Sequence, residues 1–204
     1  MTDSPHDVLR SDPDIGPLVA AHGKLTLETA EDLFERLVVS ICRQQVSMAA
    51  AAATRDRLFD AVEMTPAGVL AAEDDTLRGA GLSRQKTRYV NEVAAAFEEH
   101  GYSVSSFESA TDDEVREALT DITGVGEWTA NMQLLFSLGR PDVFPVGDLG
   151  VRKGFRTVVG EGYDRGEMVE YARRWAPYRS YATLYLWRAE EDIAESVAEV
   201  TERQ

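Results

Sequence analysis

Leu119-Thr120-Asp121-Ile122-Thr123-Gly124-Val125-Gly126-Glu127-Trp128-Thr129-Ala130 is the stretch of this 204-residue chain that decides how the rest is read. Capping residues and glycines predict a helix that opens at Thr111 and stops at Thr123, a Gly-Val-Gly corner, and a second helix that starts near Glu127. Two glycines turn the backbone tightly with no Cβ in the way. Amide N–H groups at the start of the second helix can then come close to an anion, for which a phosphate is the natural guest. Carbonyls left over at the end of the first helix, with Thr120, Ile122 and Val125 as the candidates, can hold a monovalent cation that bridges to the same phosphate. Taken alone, however, a Gly-x-Gly corner is more often an ordinary joint between two helices.

Outward from that corner the pattern stays helical. Leu33, Phe34, Leu37, Val38 and Ile41 recur at helical spacing, as do Tyr89, Val90, Val93 and Phe97. Thr65 before Pro66 marks a helix start, and Thr111 and Asp164 are each followed three residues later by a glutamate, Glu114 and Glu167, as capping boxes require. The alanines at 49–53 favour a helix after Ser47. The expectation is an all-α chain of nine or ten helices with short connections. Val143-Phe144 and Val158-Val159 hint at extended backbone but are too short to build a sheet. Residues 1–25 are weakly patterned and are expected to wrap loosely across the outside.

At 204 residues and 44% hydrophobic content the chain suits one compact unit, residues 1–204, or two small helical lobes sharing a cleft. Its longest apolar runs fall far short of the roughly 18 residues of a membrane span, and Met1–Arg10 is too polar for a secretory signal, so a cytoplasmic location and a monomer are expected. The single cysteine, Cys42, has no partner for an internal disulfide and reads as a small buried hydrophobe. His6, His22 and His100 are too scattered to suggest a zinc site.

The net charge of −15 argues at first sight against a polyanionic partner. Only Lys24, Lys86 and Lys153 are lysines, against 18 arginines, and acid-rich, lysine-poor surfaces resemble those of proteins from salt-saturated cytosols. In such salt long-range repulsion is screened to a few ångströms, so local charge matters more than the total. Eight carboxylates stand against Arg10 and Lys24 in residues 1–35, whereas Arg152, Lys153 and Arg156 outnumber Asp142 and Asp148 in residues 141–160.

Gly124-Val125-Gly126-Glu127-Trp128-Thr129-Ala130 followed by Asp142-Val143-Phe144-Pro145-Val146-Gly147-Asp148-Leu149-Gly150-Val151-Arg152-Lys153-Gly154 resembles the helix-hairpin-helix, Gly/Pro-rich loop and aspartate signature of the DNA glycosylase superfamily. Three further segments look like its alkylated-base branch, the 3-methyladenine DNA glycosylase II family. They are Leu37 to Ser47 (with Arg43-Gln44-Gln45-Val46-Ser47), Gly81-Leu82-Ser83-Arg84-Gln85-Lys86, and Trp175 through Trp187. The resemblance covers residues 30–190 and implies two helical lobes with a DNA-facing cleft between them. Longer bacterial members of the family carry an N-terminal β-rich domain, for which this chain has room for at most a remnant, so a minimal two-lobed unit is expected.

By this resemblance Asp148 is the catalytic carboxylate, although an aspartate opening a helix is equally expected as a plain N-cap. An ionised group near C1′ can stabilise a sugar acquiring oxocarbenium character and can help a water attack it. Trp128 and Trp187 become walls of a base pocket, with Met132 one turn after the first, where relatives often have tyrosine; Arg188 stands where they have an aromatic after the second. An alkylated purine is cationic, and indole faces attract cations by about 0.5–2 kcal/mol. Core packing is the commoner fate of tryptophan, and is expected of Trp175.

Gln44 and Gln45, normally just a solvated pair at a helix joint, would enter the minor groove, with Gln45 filling the gap left by the extruded nucleotide. Some relatives place leucine there. The hairpin residues Gly124, Val125, Gly126 and Thr129 would hold DNA backbone, and Arg84 and Lys86 would reach phosphates unless they are ordinary surface charges. Lyase-capable relatives have a lysine where Trp128 stands, and iron–sulfur relatives end in four cysteines, of which this chain has none after position 42. The expectation is therefore a monofunctional DNA N-glycosylase for alkylated purines. It would act on double-stranded DNA without a cofactor other than a structural monovalent cation. The alternatives are a non-catalytic helix-hairpin-helix module, which would need neither Asp148 nor the tryptophans, and a helical protein-interaction domain.

Overall fold

The computed structural model describes residues 4–27, 29 and 31–189. Among these residues the chain is all-α. Its helices are α1 (Pro5–Arg10), α2 (Gly16–His22), α3 (Leu33–Arg43), α4 (Met48–Ala61), α5 (Pro66–Ala71), α6 (Asp74–Gly79), α7 (Arg84–His100), α8 (Asp112–Thr120), α9 (Glu127–Phe136), α10 (Leu149–Val158), α11 (Arg165–Ala172) and α12 (Arg179–Arg188). Short 3₁₀ turns lie at Ser105–Phe107 and Arg173–Trp175. Two compact units result. One is Ala30–Leu138, which holds α3 to α9; the other joins Met1–Thr29 to Gly139–Gln204 and holds α1, α2 and α10 to α12.

Start signals in the sequence are realised. Thr111 and Asp164 form capping boxes with Glu114 and Glu167, and Thr65, Ser47 and Asp148 cap α5, α4 and α10. The helix expected to run to Thr123 ends at Thr120, because the chain already turns at Ile122, whose carbonyl accepts the Val125 N–H. In the α3–α9 unit, Leu37, Val38, Ile41, Val90, Val93 and Leu119 form a core from which water is excluded. A buried chain of hydrogen bonds fixes the register of α3 on α9: Gln133 Nε2 donates to Ser40 Oγ, and Ser137 Oγ donates to Gln133 Oε1.

In the other unit, Gly154 sets the approach of α10 to α12. A Cβ there would overlap the Leu186 carbonyl, so the absence of a side chain lets the two helices cross in contact. Residues 4–25, expected to lie loosely, are instead folded in. Leu9, Ile15 and Val19 are fully buried. Tyr185 Oη donates to the Gly23 carbonyl at 2.7 Å, Tyr171 Oη donates to Asp14 at 2.6 Å, and Arg174 pairs with Asp12 at 3.0 Å. The apolar residues are too few and too widely spaced to give a helical period, and the partners that fix them are more than 150 residues away, so nothing local announces the packing.

Candidate functional site

Asp148 is the N-cap of α10, and its Oδ1 accepts the Val151 backbone N–H at 2.8 Å. The same oxygen accepts the indole Nε1–H of Trp187, on α12, at 2.9 Å. A helix start and an indole donor thus converge on one carboxylate oxygen and fix its rotamer. The loop leading to it is equally constrained. Arg152 donates through one guanidinium nitrogen to the carbonyls of Val146 (2.9 Å) and Gly147 (2.7 Å). Ser180 Oγ donates to the Arg140 carbonyl and accepts the Val143 N–H, and Arg179 forms a two-pronged ion pair with Asp142 at 2.8 and 2.9 Å. Charge-assisted bonds of this kind are about twice as strong as neutral ones, and a forked pair adds direction.

The hairpin is the corner between α8 and α9. Gly124 has φ 98°, a left-handed value that a side chain disfavours, and a Cβ there would fall within the Tyr89 ring, which lies against the turn. Gln85 Nε2 holds the Tyr89 hydroxyl at 2.6 Å. Ile122 and Val125 point their side chains into the unit as apolar anchors. Gly126 is the N-cap of α9, with extended backbone and no side chain capping the helix, and a Cβ there would meet nothing within 4 Å. The start of α9 therefore carries no side-chain cap, and its dipole favours an anion.

The α3–α4 joint lies in the same unit. α3 ends at Arg43, Gln44 is extended, and Gln45 takes φ 57°, the only positive φ at a non-glycine among the described residues. Gln44 Nε2 donates to the Gly124 carbonyl at 3.1 Å, so this residue ties the joint to the hairpin. Gln45 and Val46 are exposed at the tip. Lys86 lies in the first turn of α7, but its Nζ donates to the Cys42 carbonyl at 2.7 Å and burial lowers its pKa. Arg84 is exposed at the start of α7. Burial pushes the Cys42 thiol up to about 11, consistent with a small inert core residue.

The structure therefore unites some predicted residues and reassigns others. Gln44, beside Gln45 in the α3–α4 joint, hydrogen-bonds the hairpin's Gly124, and Asp148 and Trp187 share a hydrogen bond. Trp187 is only 4% exposed, whereas Trp128 is 41% exposed near the start of α9 with Met132, nearly buried, one turn later. Thr129, in the first turn of α9, is buried. The positioning roles of Arg152, Ser180 and Tyr89 were not evident from sequence. In the sequence Arg152 is one member of a local basic excess, Ser180 a small polar residue within the segment ending at Trp187, and Tyr89 part of an apolar helix face. No group of three or more potential metal ligands occurs among the described residues.

The family model "HhH-GPD superfamily base excision DNA repair protein" matches residues 38–177. The crystal structure of a DNA-3-methyladenine glycosidase from Bacillus halodurans is similar over 95% of this chain and 93% of its own, with 36% identity and a TM-score of 0.85. The 3-methyladenine DNA glycosylase Mag1 of Schizosaccharomyces pombe, solved in complex with abasic DNA, matches over 90% of this chain and 95% of its own, with 27% identity and a TM-score of 0.79. Bacillus subtilis YfjP is 30% identical over 174 residues, 83% of this chain; the chain spans 56% of the length of that relative.

Proposed function

The chain belongs to the HhH-GPD superfamily of base excision DNA repair proteins, and from that premise we propose that it is a monofunctional DNA N-glycosylase that removes alkylated purines of the 3-methyladenine type. The observation that carries this reading is the Asp148 carboxylate, held at a helix start by the Val151 amide and the Trp187 indole, in a chain whose relatives are 3-methyladenine glycosylases. A purine alkylated at a ring nitrogen is already cationic and leaves as a neutral base, so no general acid is required. The charge passes to the sugar, and a fixed carboxylate stabilises the developing oxocarbenium ion. Water then adds at C1′ and its proton passes to the carboxylate or solvent, leaving a hemiacetal at an intact backbone.

In this reading the uncapped start of α9 takes a backbone phosphate, Gln45 enters the minor groove, Arg84 meets a phosphate, and the exposed Trp128 indole offers a stacking face beside Met132. A structural monovalent cation held by the carbonyls of Thr120, Ile122 and Val125, all uncharged oxygen donors, would reinforce phosphate binding; of these, the Ile122 carbonyl also accepts the Val125 N–H. No helix among the described residues is long and apolar enough to cross a membrane; we assign the protein to the cytoplasm, as a monomer acting on double-stranded DNA.

The test is to incubate purified protein with methylated duplex and identify the released bases by chromatography, then run the strand on a denaturing gel. Release of 3-methyladenine or 7-methylguanine from a strand that stays full length until hot alkali supports the reading. Binding without release would leave a non-catalytic module, and prompt nicking or a borohydride-trapped adduct would mean that a lysine attacks the sugar.

A further inference from the structure

The break between α3 and α4 lacks a local cause. Cys42-Arg43-Gln44-Gln45-Val46 contains neither glycine nor proline, and arginine and glutamine are good helix formers. Ser47 explains where α4 begins, since its hydroxyl accepts the Ala50 N–H, but not why α3 stops four residues earlier. In a helix running on by one turn, the Cys42 carbonyl would accept the Val46 N–H and the Ile41 carbonyl the Gln45 N–H. Instead the Ile41 carbonyl takes the Gln44 N–H at 3.2 Å, and the Cys42 carbonyl takes Lys86 Nζ at 2.7 Å. The chain then leaves the helix, and Gln45 adopts a left-handed conformation in which a glutamine is strained.

We propose that Lys86 is the positioning residue of the DNA-entering tip: by occupying the Cys42 carbonyl it stops α3 and holds Gln45 in its projecting left-handed turn. The inference rests on the glycosylase reading for what the tip does, but not for how the tip is held. A lysine near a helix C-terminus is favoured there by the helix dipole as well as by the orphan carbonyl. Gln44 fastens the same turn from the other side through the Gly124 carbonyl, so the height of Gln45 above the hairpin is fixed by two long-range bonds. This differs from the sequence expectation for Lys86. A lysine that contacts phosphate supports every DNA sequence alike, whereas one that holds the tip matters where a nucleotide is missing or extruded.

The experiment compares the wild-type chain with Lys86→Met and Lys86→Arg in three measurements. The first is hydrogen exchange at the Val46 amide without DNA: Lys86→Met should slow it at least tenfold as α3 runs on, and Lys86→Arg, which keeps a donor, should leave it near wild type. The second is affinity for a duplex containing a tetrahydrofuran abasic analogue and for the same duplex undamaged. Lys86→Met should weaken the first about tenfold and the second less than twofold, with an unchanged salt slope. The third is the fluorescence of 2-aminopurine placed opposite the analogue, whose change on binding should be lost in Lys86→Met and kept in Lys86→Arg.

If both duplexes weaken alike and the salt slope falls by about one, Lys86 is a phosphate contact and the proposal is overturned. Unchanged Val46 exchange overturns it as well. Should Lys86→Met fail to fold, Lys86→Ala, which likewise removes the donor to the Cys42 carbonyl, takes its place under the same criteria. If the wild-type chain neither prefers the abasic duplex nor releases methylated bases, the glycosylase reading fails, while the exchange result still decides whether Lys86 holds the turn.

Discussion

Two helix starts in this chain are built alike and finished in opposite ways. α9 begins at Gly126 with no side chain over its amides, whereas α10 begins at Asp148, whose own carboxylate closes the cap. Both present the partial positive charge of a helix start, the standard surroundings for an anion. At α10 the protein supplies the carboxylate and uses the helix start to orient it. At α9 it withholds one, which leaves the position for an anion from outside. Most of the other longer helices, α3, α4, α7, α8 and α11, carry ordinary side-chain caps. The uncapped α9 is informative against that background.

The comparison is broken most severely at Asp148. In Asp148→Asn the amide oxygen can still accept from Val151 and Trp187, so the cap and the fold survive while the charge is lost. Single-turnover release of 3-methyladenine should fall by a factor of about a hundred or more, with thermal unfolding and abasic-duplex affinity close to wild type. Turnover within a few-fold of wild type would remove Asp148 from the chemistry.

Next in size is Trp187→Phe. Sequence alone assigned this tryptophan a cation–π face; the structure adds a hydrogen bond from its indole to the Asp148 carboxylate. Phenylalanine keeps a ring and loses the donor. Hydrogen bonds to charged groups contribute about 1.5–3 kcal/mol, so single-turnover rates should drop by roughly ten- to a hundredfold. The loss should be similar for cationic 3-methyladenine and for a neutral base such as hypoxanthine, provided the wild type excises it. A loss confined to cationic substrates would return Trp187 to stacking alone.

Those two residues also mark what the sequence could reveal. The capping boxes at Thr111 and Asp164, the start of α10 at Asp148 and the Gly-Val-Gly corner are determined within a few residues, so local pattern was enough to place them. What was not legible depends on partners far along the chain: Trp187 reaching Asp148 across 39 residues, Lys86 reaching Cys42 across 44, Tyr171 reaching Asp14 across 157. Each side chain has a bland local identity, an apolar helix face or a surface charge. Its role appears only when the fold brings a particular carbonyl or carboxylate to its tip. The packing of α1 and α2 rests on the same kind of distant contact.

The hairpin's two glycines separate stability from binding. Gly124→Ala must place a methyl group in the Tyr89 ring at φ 98°, and should lower stability by about 1–3 kcal/mol, read as a clear fall in the unfolding midpoint. Near-native stability would mean that Tyr89 can withdraw and does not brace the turn. Weakened DNA binding in this variant is expected but carries less information, since the turn itself is disturbed.

Gly126→Ala is the gentler and sharper test. The backbone there (φ −100°, ψ 173°) suits any residue and the Cβ position is open, so the protein has little reason to object. The gain from a less flexible unfolded chain and the loss of a favourable N-cap glycine roughly offset, and stability should stay within about 0.5 kcal/mol. An approaching phosphate oxygen would meet the new methyl group beside the α9 amides. Affinity should therefore fall a few-fold for unrelated undamaged duplexes measured at one salt concentration, and by the same factor for each, because a backbone contact carries no sequence information. A factor that varies with sequence would point to base contacts at this corner. No change at all would mean that the open start of α9 is not where the backbone is held, and the contrast between the two helix starts would lose its functional meaning.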